Sequence, residues 1–423
     1  MGTMTIEVPA IEELLELRTT HALGEVRGDG SAKARNAGNQ GSLPEAYGPH
    51  SLSAVMPALS DAIGCPVATA LHQDPAQARQ ALGFPEARSA IVALVDGLGF
   101  WNIAMRVGHA PYLRSLLSHT ENEHPISTCM PSTTVAAMGT FGTGTCPGMT
   151  AMTGYTQRNP QTGNIAQLIQ FKDSLPPHEL QQQPTVFEQL ARHTRVTSVG
   201  LPKFADSPLT QAALRGATYQ GHISPSSRIA LACRAATTPG LTYLYIRDTD
   251  KVGHNYGWDS LQWTEAFERV DAQLSLLRRS APKGTLIVIV ADHGMISADP
   301  EQCIDIAEHP GLAQGVAQLG GEPRAPMLYV EPSHDVEEVA ERWRDRLAGR
   351  AVVQTRDEAI SSGVYGLVED RVKPMIGDIV VAALHRVTIV DSRTQSEKAI
   401  SLPSVHGSRS AVEMDIPCFI DMA

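Results

Sequence analysis

The 423-residue sequence contains no apolar run near the roughly 18 residues that a membrane-spanning helix requires. It also lacks a basic excess: 34 Lys and Arg stand against 45 Asp and Glu, a formal charge of −11. Proteins that wrap nucleic acid or hold anionic membranes need basic surface, so neither class is expected. The stretch from Met1 to Arg18 carries Glu7, Glu12, Glu13 and Glu16 where a secretory signal would have a basic end and an apolar block, and a cytoplasmic protein is expected. Cysteine is scarce, with six residues at irregular spacing and no CxxC pair. That excludes a disulfide framework or a cysteine zinc site and leaves reduced, mostly buried thiols. No internal repeat is present. If an acidic chain like this one binds an anion, the positive charge must come from a metal or a focused patch.

What is present is enough for a large folded unit, with 42% apolar and 19% charged residues. Residues 1–46 read as an N-terminal extension, with a short amphipathic stretch from Ile11 to Leu17 and a Gly/Asn/Ser linker running through Gly28–Ser31 and Asn36–Ser42. The catalytic domain is expected over 47–423. Four Val/Ile/Leu-rich runs, Ala90–Val95, Val196–Leu201, Leu241–Ile246 and Leu286–Val290, show the continuous hydrophobicity of strands covered on both faces. Helical spacing lies between them, as in Val186–Ala191 and Leu261–Leu277. The alternation predicts an α/β fold, a doubly wound, mostly parallel sheet flanked by helices. The span 296–396 differs in texture, with strands at Pro326–Val330 and Asp378–Val390 and a charged helix over Val336–Leu347, and is expected to form a smaller subdomain or edge insertion.

Residues able to bind metal follow three of the strands, at the end where open α/β sheets bind ligands. Ala90–Val95 runs into Asp96-Gly97. Leu241–Ile246 leads to Asp248, Asp250 and His254. Leu286–Val290 leads to Asp292-His293-Gly294. A lone strand-end Asp is usually a cap or turn former; three in succession, two of them with a His, are not explained that way. His406-Gly407 adds a further imidazole. Between these lies Pro131-Ser132-Thr133-Thr134, a helix start whose hydroxyls face free backbone N–H groups, a place suited to a phosphoryl group.

Together these residues resemble the alkaline phosphatase superfamily, and within it the nucleotide pyrophosphatase/phosphodiesterase branch. The shared motifs extend from Asp96 to His406, roughly three quarters of the chain. The resemblance implies an alkaline-phosphatase-like fold and two metal ions. Asp250, His254 and His406 would hold one ion, and Asp96, Asp292, His293 and the oxygen of Thr134 the other. It also implies that Thr134 is the nucleophile, because the family places it nine residues before the Thr of a helix-ending Thr-Gly, here Thr143. Three carboxylates and three imidazoles suit Zn²⁺, with Mn²⁺ as the second choice. Cys129-x-Pro131-Ser132 imitates the start of a sulfatase signature, but Thr133 stands where that signature has Arg.

One position departs from the branch. Twenty-one residues after the nucleophile, where the branch commonly has an Asn for a phosphoryl oxygen, stands Tyr155. The nucleophile helix also lacks cations, with no Lys or Arg between Arg114 and Arg158. A dianionic monoester usually calls for one there, so a phosphodiester or pyrophosphate bond in a small-molecule ester or nucleotide is the expected substrate. Lys251, inside the Asp250–His254 motif, is the foremost neighbouring cation, with Arg158, Arg247 and Arg409 behind it. The rival readings are a phosphomonoesterase, phosphonate hydrolase or phosphomutase on the same scaffold and, more remotely, an inactive metal-binding protein.

Overall fold

The computed structural model describes residues 7–15 and 45–423. Its centre is a six-stranded sheet in the order Cys418–Met422, Leu286–Val290, Ser89–Val95, Gly240–Ile246, Arg195–Gly200 and Thr218–Gly221. Five strands run parallel, and only Cys418–Met422 is antiparallel, paired with Leu286–Val290. Three strands carry the site and are labelled β1 (Ser89–Val95), β2 (Gly240–Ile246) and β3 (Leu286–Val290). All residues of β1 and β3 are buried, which accounts for their unbroken apolar sequences. Two sets of helices flank the sheet: Leu52–Ala62 packs with Thr134–Thr143, and Pro225–Ala235 packs with Leu261–Ser280.

The four anticipated parallel strands are present to within a residue at each end. The two edge strands were not anticipated. Thr218–Gly221 has only four residues, none buried, and so shows no hydrophobic signature. Asp378–Val390 resolves into two strands, Ile379–Ala383 and Thr388–Val390, broken by a turn.

A second sheet is antiparallel, ordered Val316–Glu322, Ala325–Val330, Ile379–Ala383 and Ala351–Thr355. It has its own apolar cluster, in which Trp343 of the helix Val336–Arg346 packs with Leu328, Ile379, Val381 and Ile389. The two bodies are tied by one fully buried ion pair. Arg324 gives Nε and Nη2 to the Glu413 carboxylate at 3.1 and 2.8 Å. Its Nη1 donates to the carbonyl of Val387 at 2.7 Å.

The linker of the N-terminal extension lies outside the described residues. Leu14 and Leu15, however, are buried against Ile296, Val405, Ala411 and Val412. That apolar patch borders the loop carrying His406.

Candidate active site

The site grows out of the β1–β2–β3 register. Val95 pairs with Ile246, and Leu94 with Val290, so the turns after the three strands emerge side by side. The chain passes from β2 across β1 to β3, and the crevice therefore opens where the direction of winding changes. Backbone bonds lock the turns together: Asp96 N–H donates to Ile246 at 2.8 Å, and the Asp96 carbonyl accepts from Asp250 N–H at 3.0 Å. Gly97 has φ +69, and a Cβ there would lie 2.9 Å from Asp250 Cβ. Only glycine permits that approach. Asp250 and His254 then stand one turn apart on a single face of helix α2 (Asp248–Tyr256). His406 arrives from the loop after Ser404–Val405, which pairs with Ile296–Ser297.

Asp250 Oδ1 lies 3.1 Å from His254 Nε2 and 3.8 Å from His406 Nε2, and the two imidazole nitrogens are 3.2 Å apart. His293 Nε2 is 3.6 Å from Asp96 Oδ1 and 3.5 Å from Asp292 Oδ2. Asp250 also falls within ligand range of Asp96 and His293, so it stands between the two groups. Thr134 begins the ten-residue helix α1 (Thr134–Thr143), and its Oγ1 is 3.1 Å from His293 Nε2 and 3.5 Å from Asp96 Oδ1.

Hydrogen bonds on the far sides of the rings assign the tautomers. His254 Nδ1 faces the Ser404 carbonyl at 2.8 Å, His406 Nδ1 that of Ser132 at 2.9 Å, and His293 Nδ1 that of Gly294 at 3.0 Å. A carbonyl only accepts, so each Nδ1 carries the proton and each Nε2 presents a lone pair inward. Lone pairs therefore face one another and three carboxylates, an arrangement that repels itself unless a cation lies between. The ionisation pattern is mixed: against burial, Asp250 raises His254 and the imidazoles hold Asp250 below its ordinary value, while two other groups record the crowding. Burial, and then the charges of Asp250 and Asp292, push the Asp96 carboxyl well above its ordinary value. His406 is driven well below its own by burial and by the other two imidazoles. Asp250 Oδ1 and Asp292 Oδ2 are buried without a hydrogen bond. Among the described residues the only ion-pair partners of these carboxylates are the imidazoles. The donor set thus fits divalent cations held by oxygen and nitrogen ligands.

The cleft over this cluster measures about 970 Å³, and its walls include Asp96, Thr134, Tyr155, Lys203, Arg247 and Glu322. All seven predicted metal-site residues, Asp96, Thr134, Asp250, His254, Asp292, His293 and His406, are brought together. Thr133 is the buried N-cap residue of α1, its side chain makes no capping hydrogen bond, and it too borders the cleft. Tyr155 is half-exposed on the wall, its hydroxyl accepting from Gln167 Nε2 at 2.8 Å. Lys251 is exposed on α2 and does not line the cleft. Arg158 lies over the Tyr329 ring at 4.1 Å, and Arg409 is buried elsewhere. The cations at the wall are instead Arg247 and Lys203, both set over the Phe204 ring, at 5.8 and 4.9 Å. Lys203 and Glu322 belong to no motif. Cys129 is fully buried, and burial pushes its thiol up to about 12, so it has no part in the cleft.

With this geometry in view, residues 90–409 match the family described as type I phosphodiesterase / nucleotide pyrophosphatase. The chain belongs to this family. As a member of the type I phosphodiesterase/nucleotide pyrophosphatase family it is a phosphoester hydrolase, and the family is metal-dependent. Similar solved structures share its fold at low identity. Murine ectonucleotide pyrophosphatase/phosphodiesterase 5, an inactive form in complex with AMP, has a TM-score of 0.61 at 16% identity, covering 78% of this chain and 87% of that one. Phosphonoacetate hydrolase from Sinorhizobium meliloti 1021, in complex with phosphonoformate, has a TM-score of 0.60 at 19% identity, covering 79% and 90%. Both identify the mixed, mostly parallel sheet as an alkaline-phosphatase-like α/β fold. Among curated proteins none matches the chain in sequence.

Proposed function

We propose that the protein hydrolyses a phosphodiester or pyrophosphate bond in a small-molecule ester, with Thr134 as nucleophile. The observation that carries this reading is the position of Thr134 Oγ1: at the start of a helix, 3.1 Å from His293 Nε2 and beside the carboxylate of Asp96. Asp250, His254 and His406 would hold one cation and Asp96, Asp292, His293 and Thr134 a second, Zn²⁺ before Mn²⁺ for this donor set. Such ions, when bound, supply positive charge and Lewis acidity for hydroxyl, water and phosphoryl oxygens.

The chain's own residues then account for the chemistry. Thr134 Oγ1 forms a bond to phosphorus as the ester P–O bond breaks, and the hydroxyl proton ends on the departing alcohol. Water next forms its bond to phosphorus, the Thr134 P–O bond breaks, and Thr134 recovers a proton. The N-terminus of α1 directs free backbone N–H groups at the phosphoryl oxygens throughout. Asp96 is held in place by Tyr245, whose hydroxyl donates to its carboxylate.

Lys203 and Arg247 support a second reading of the substrate. Neither has an acidic partner among the described residues, and they would attract a second negative charge on the leaving side. A pyrophosphate supplies that charge, and so does a carboxylate-bearing phosphonate. All six cysteines are free, as suits a reducing compartment, and we place the protein in the cytoplasm. No helix among the described residues is long and apolar enough to cross a membrane.

The decisive assay runs bis-p-nitrophenyl phosphate, p-nitrophenyl phosphate and phosphonoacetate side by side, after chelation and readdition of Zn²⁺ or Mn²⁺. Diester hydrolysis restored by metal and exceeding the monoester rate is the expected result. A monoester preference above tenfold, or phosphate release from phosphonoacetate alone, overturns the diester assignment.

A further inference from the structure

Glu322 closes the strand Val316–Glu322 of the second sheet and lines the same cleft as Thr134. It is only 6% exposed, and neither carboxyl oxygen has a hydrogen bond. Two contacts fix it there. A Cβ at Gly407 would come within 2.7 Å of Glu322 Cγ, so the glycine after His406 packs directly on its side chain. Thr156 Oγ1 donates to the Gly321 carbonyl at 2.8 Å, tying the turn to the segment after Tyr155. Thr133, next to the nucleophile, is near enough to act on the carboxyl, although it makes no hydrogen bond to it. The natural counter-ion is already committed, since Arg324 is bound to Glu413. A buried carboxyl with no partner is unfavourable, and proteins rarely leave one without a use.

We propose that Glu322 contacts the substrate, donating a hydrogen bond from its carboxyl O–H to a non-bridging oxygen of the phosphoryl group held at Thr134. The assignment rests on the phosphoryl-transfer reading above. An ionised carboxylate in this position would repel the phosphoryl group, whereas the neutral acid attracts it. In the metal-free protein burial pushes Glu322 up to about 8, the Thr133 hydroxyl opposing and Glu413 reinforcing, so the acid is mostly neutral near pH 7. Tyr155, Tyr365 and Cys129 lie close enough to feel it and carry no positive charge; of the nearby cations, Arg324 is bound to Glu413 and the buried Arg409 acts on Tyr365. A protonated acid aimed at a developing oxyanion is a known way to stabilise a transition state.

The test compares wild type, Glu322→Gln and Glu322→Met, each loaded with Zn²⁺ and checked for metal content and Tm. Hydrolysis of bis-p-nitrophenyl phosphate is measured, together with inhibition by inorganic phosphate. Gln keeps an N–H donor of the same shape, and kcat/KM should stay within about threefold of wild type with the phosphate Ki unchanged. Met has similar volume and no donor; kcat/KM should fall on the order of 100-fold, the usual cost of one oxyanion donor, and the phosphate Ki should rise at least about tenfold. If Met fails to fold, the comparison of wild type with Gln still decides: phosphate affinity of wild type should weaken above about pH 8, and that weakening should be absent in Gln. Wild-type kinetics in Met, equal impairment of Gln and Met, or matching pH profiles for wild type and Gln overturn the assignment. If metal-loaded wild type turns over no phosphoester, the phosphoryl-transfer reading itself fails.

Discussion

Two sheets build one cleft, and they contribute differently. The parallel sheet presents Asp96, Asp250, Asp292, His254 and His293 from the turns after adjacent strands, where main-chain bonds leave the side chains little freedom. The antiparallel sheet presents Glu322 from the end of a hairpin strand and is fastened to the first by Arg324 and Glu413. Most of the candidate metal-site geometry is therefore a property of the central scaffold, with His406 added from the loop after Ser404–Val405. The cleft wall is shared: Glu322 comes from a second body with its own core, while Lys203 and Arg247 follow strands of the central sheet. The difference teaches that metal-site motifs identify this chemistry while saying little about which ester it serves.

The sharpest way to break this division is at Thr134. Thr134→Ala should lower kcat by at least about 10³-fold while metal content stays near two ions per chain on the two-site reading, because only the covalent acceptor is lost. Thr133→Ala should remain within about tenfold of wild type. His406→Ala should instead reduce metal content by about one ion, measured by elemental mass spectrometry. A dead Thr133→Ala beside an active Thr134→Ala would show that the wrong hydroxyl has been assigned.

The seam between the sheets is next. Arg324→Met leaves Glu413 buried and unpaired, which should cost about 3–5 kcal/mol in urea unfolding. The loop carrying His406 should loosen with it, since Glu413 also accepts from Ser408 N–H at 2.9 Å and Ser410 Oγ at 2.6 Å. An unchanged midpoint would mean that the sheets hold together without this pair.

Glu322 makes the third test. Its folded pKa, about 8, lies above the ordinary carboxyl value of 4.5, so the folded state holds the proton more tightly than the unfolded one. Its contribution is fully present below about pH 4.5 and is lost as pH rises through about 8. Metal-free Glu322→Gln should therefore match wild type at pH 5 and exceed it by on the order of a few kcal/mol at pH 9. A constant difference across that range would contradict the burial argument. The smallest effect is expected at Lys251, exposed and away from the cleft wall. Lys251→Ala should change kcat/KM by less than about twofold at 0.15 M salt, where surface charges are largely screened.

Legibility followed the same division. Continuous Val/Ile/Leu runs identified four buried strands because strands covered on both faces admit little else. The candidate metal-site residues were legible because carboxylates and imidazoles recur at strand ends in an order that resembles the family's, and the fold brings them together. Lys251 drew attention through its place inside that series, but helix geometry turns it outward from the face shared by Asp250 and His254. Lys203 follows an ordinary strand-end turn, and Glu322 sits in Gly320-Gly321-Glu322-Pro323, which reads as a plain hairpin turn. Nothing local marks either residue, because its place in the cleft depends on contacts far away in sequence, such as Gly407 against Glu322. The edge strand Cys418–Met422 was missed for a similar reason, being defined by its pairing with β3 rather than by its own pattern.

The spread of the ligand set along the chain has a consequence for biosynthesis. Asp96 and His406 are 310 residues apart. At a translation rate of about 5–20 residues per second, roughly 15 to 60 s pass between their appearance on the ribosome. During that interval the nascent chain already contains acidic turns built to share cations but lacks the last imidazole. The edge strand Cys418–Met422, which completes the central sheet, comes later still. On the two-site reading, the group of Asp96, Thr134, Asp292 and His293 is thus complete once residue 293 is made, whereas the group of Asp250, His254 and His406 waits for the last imidazole.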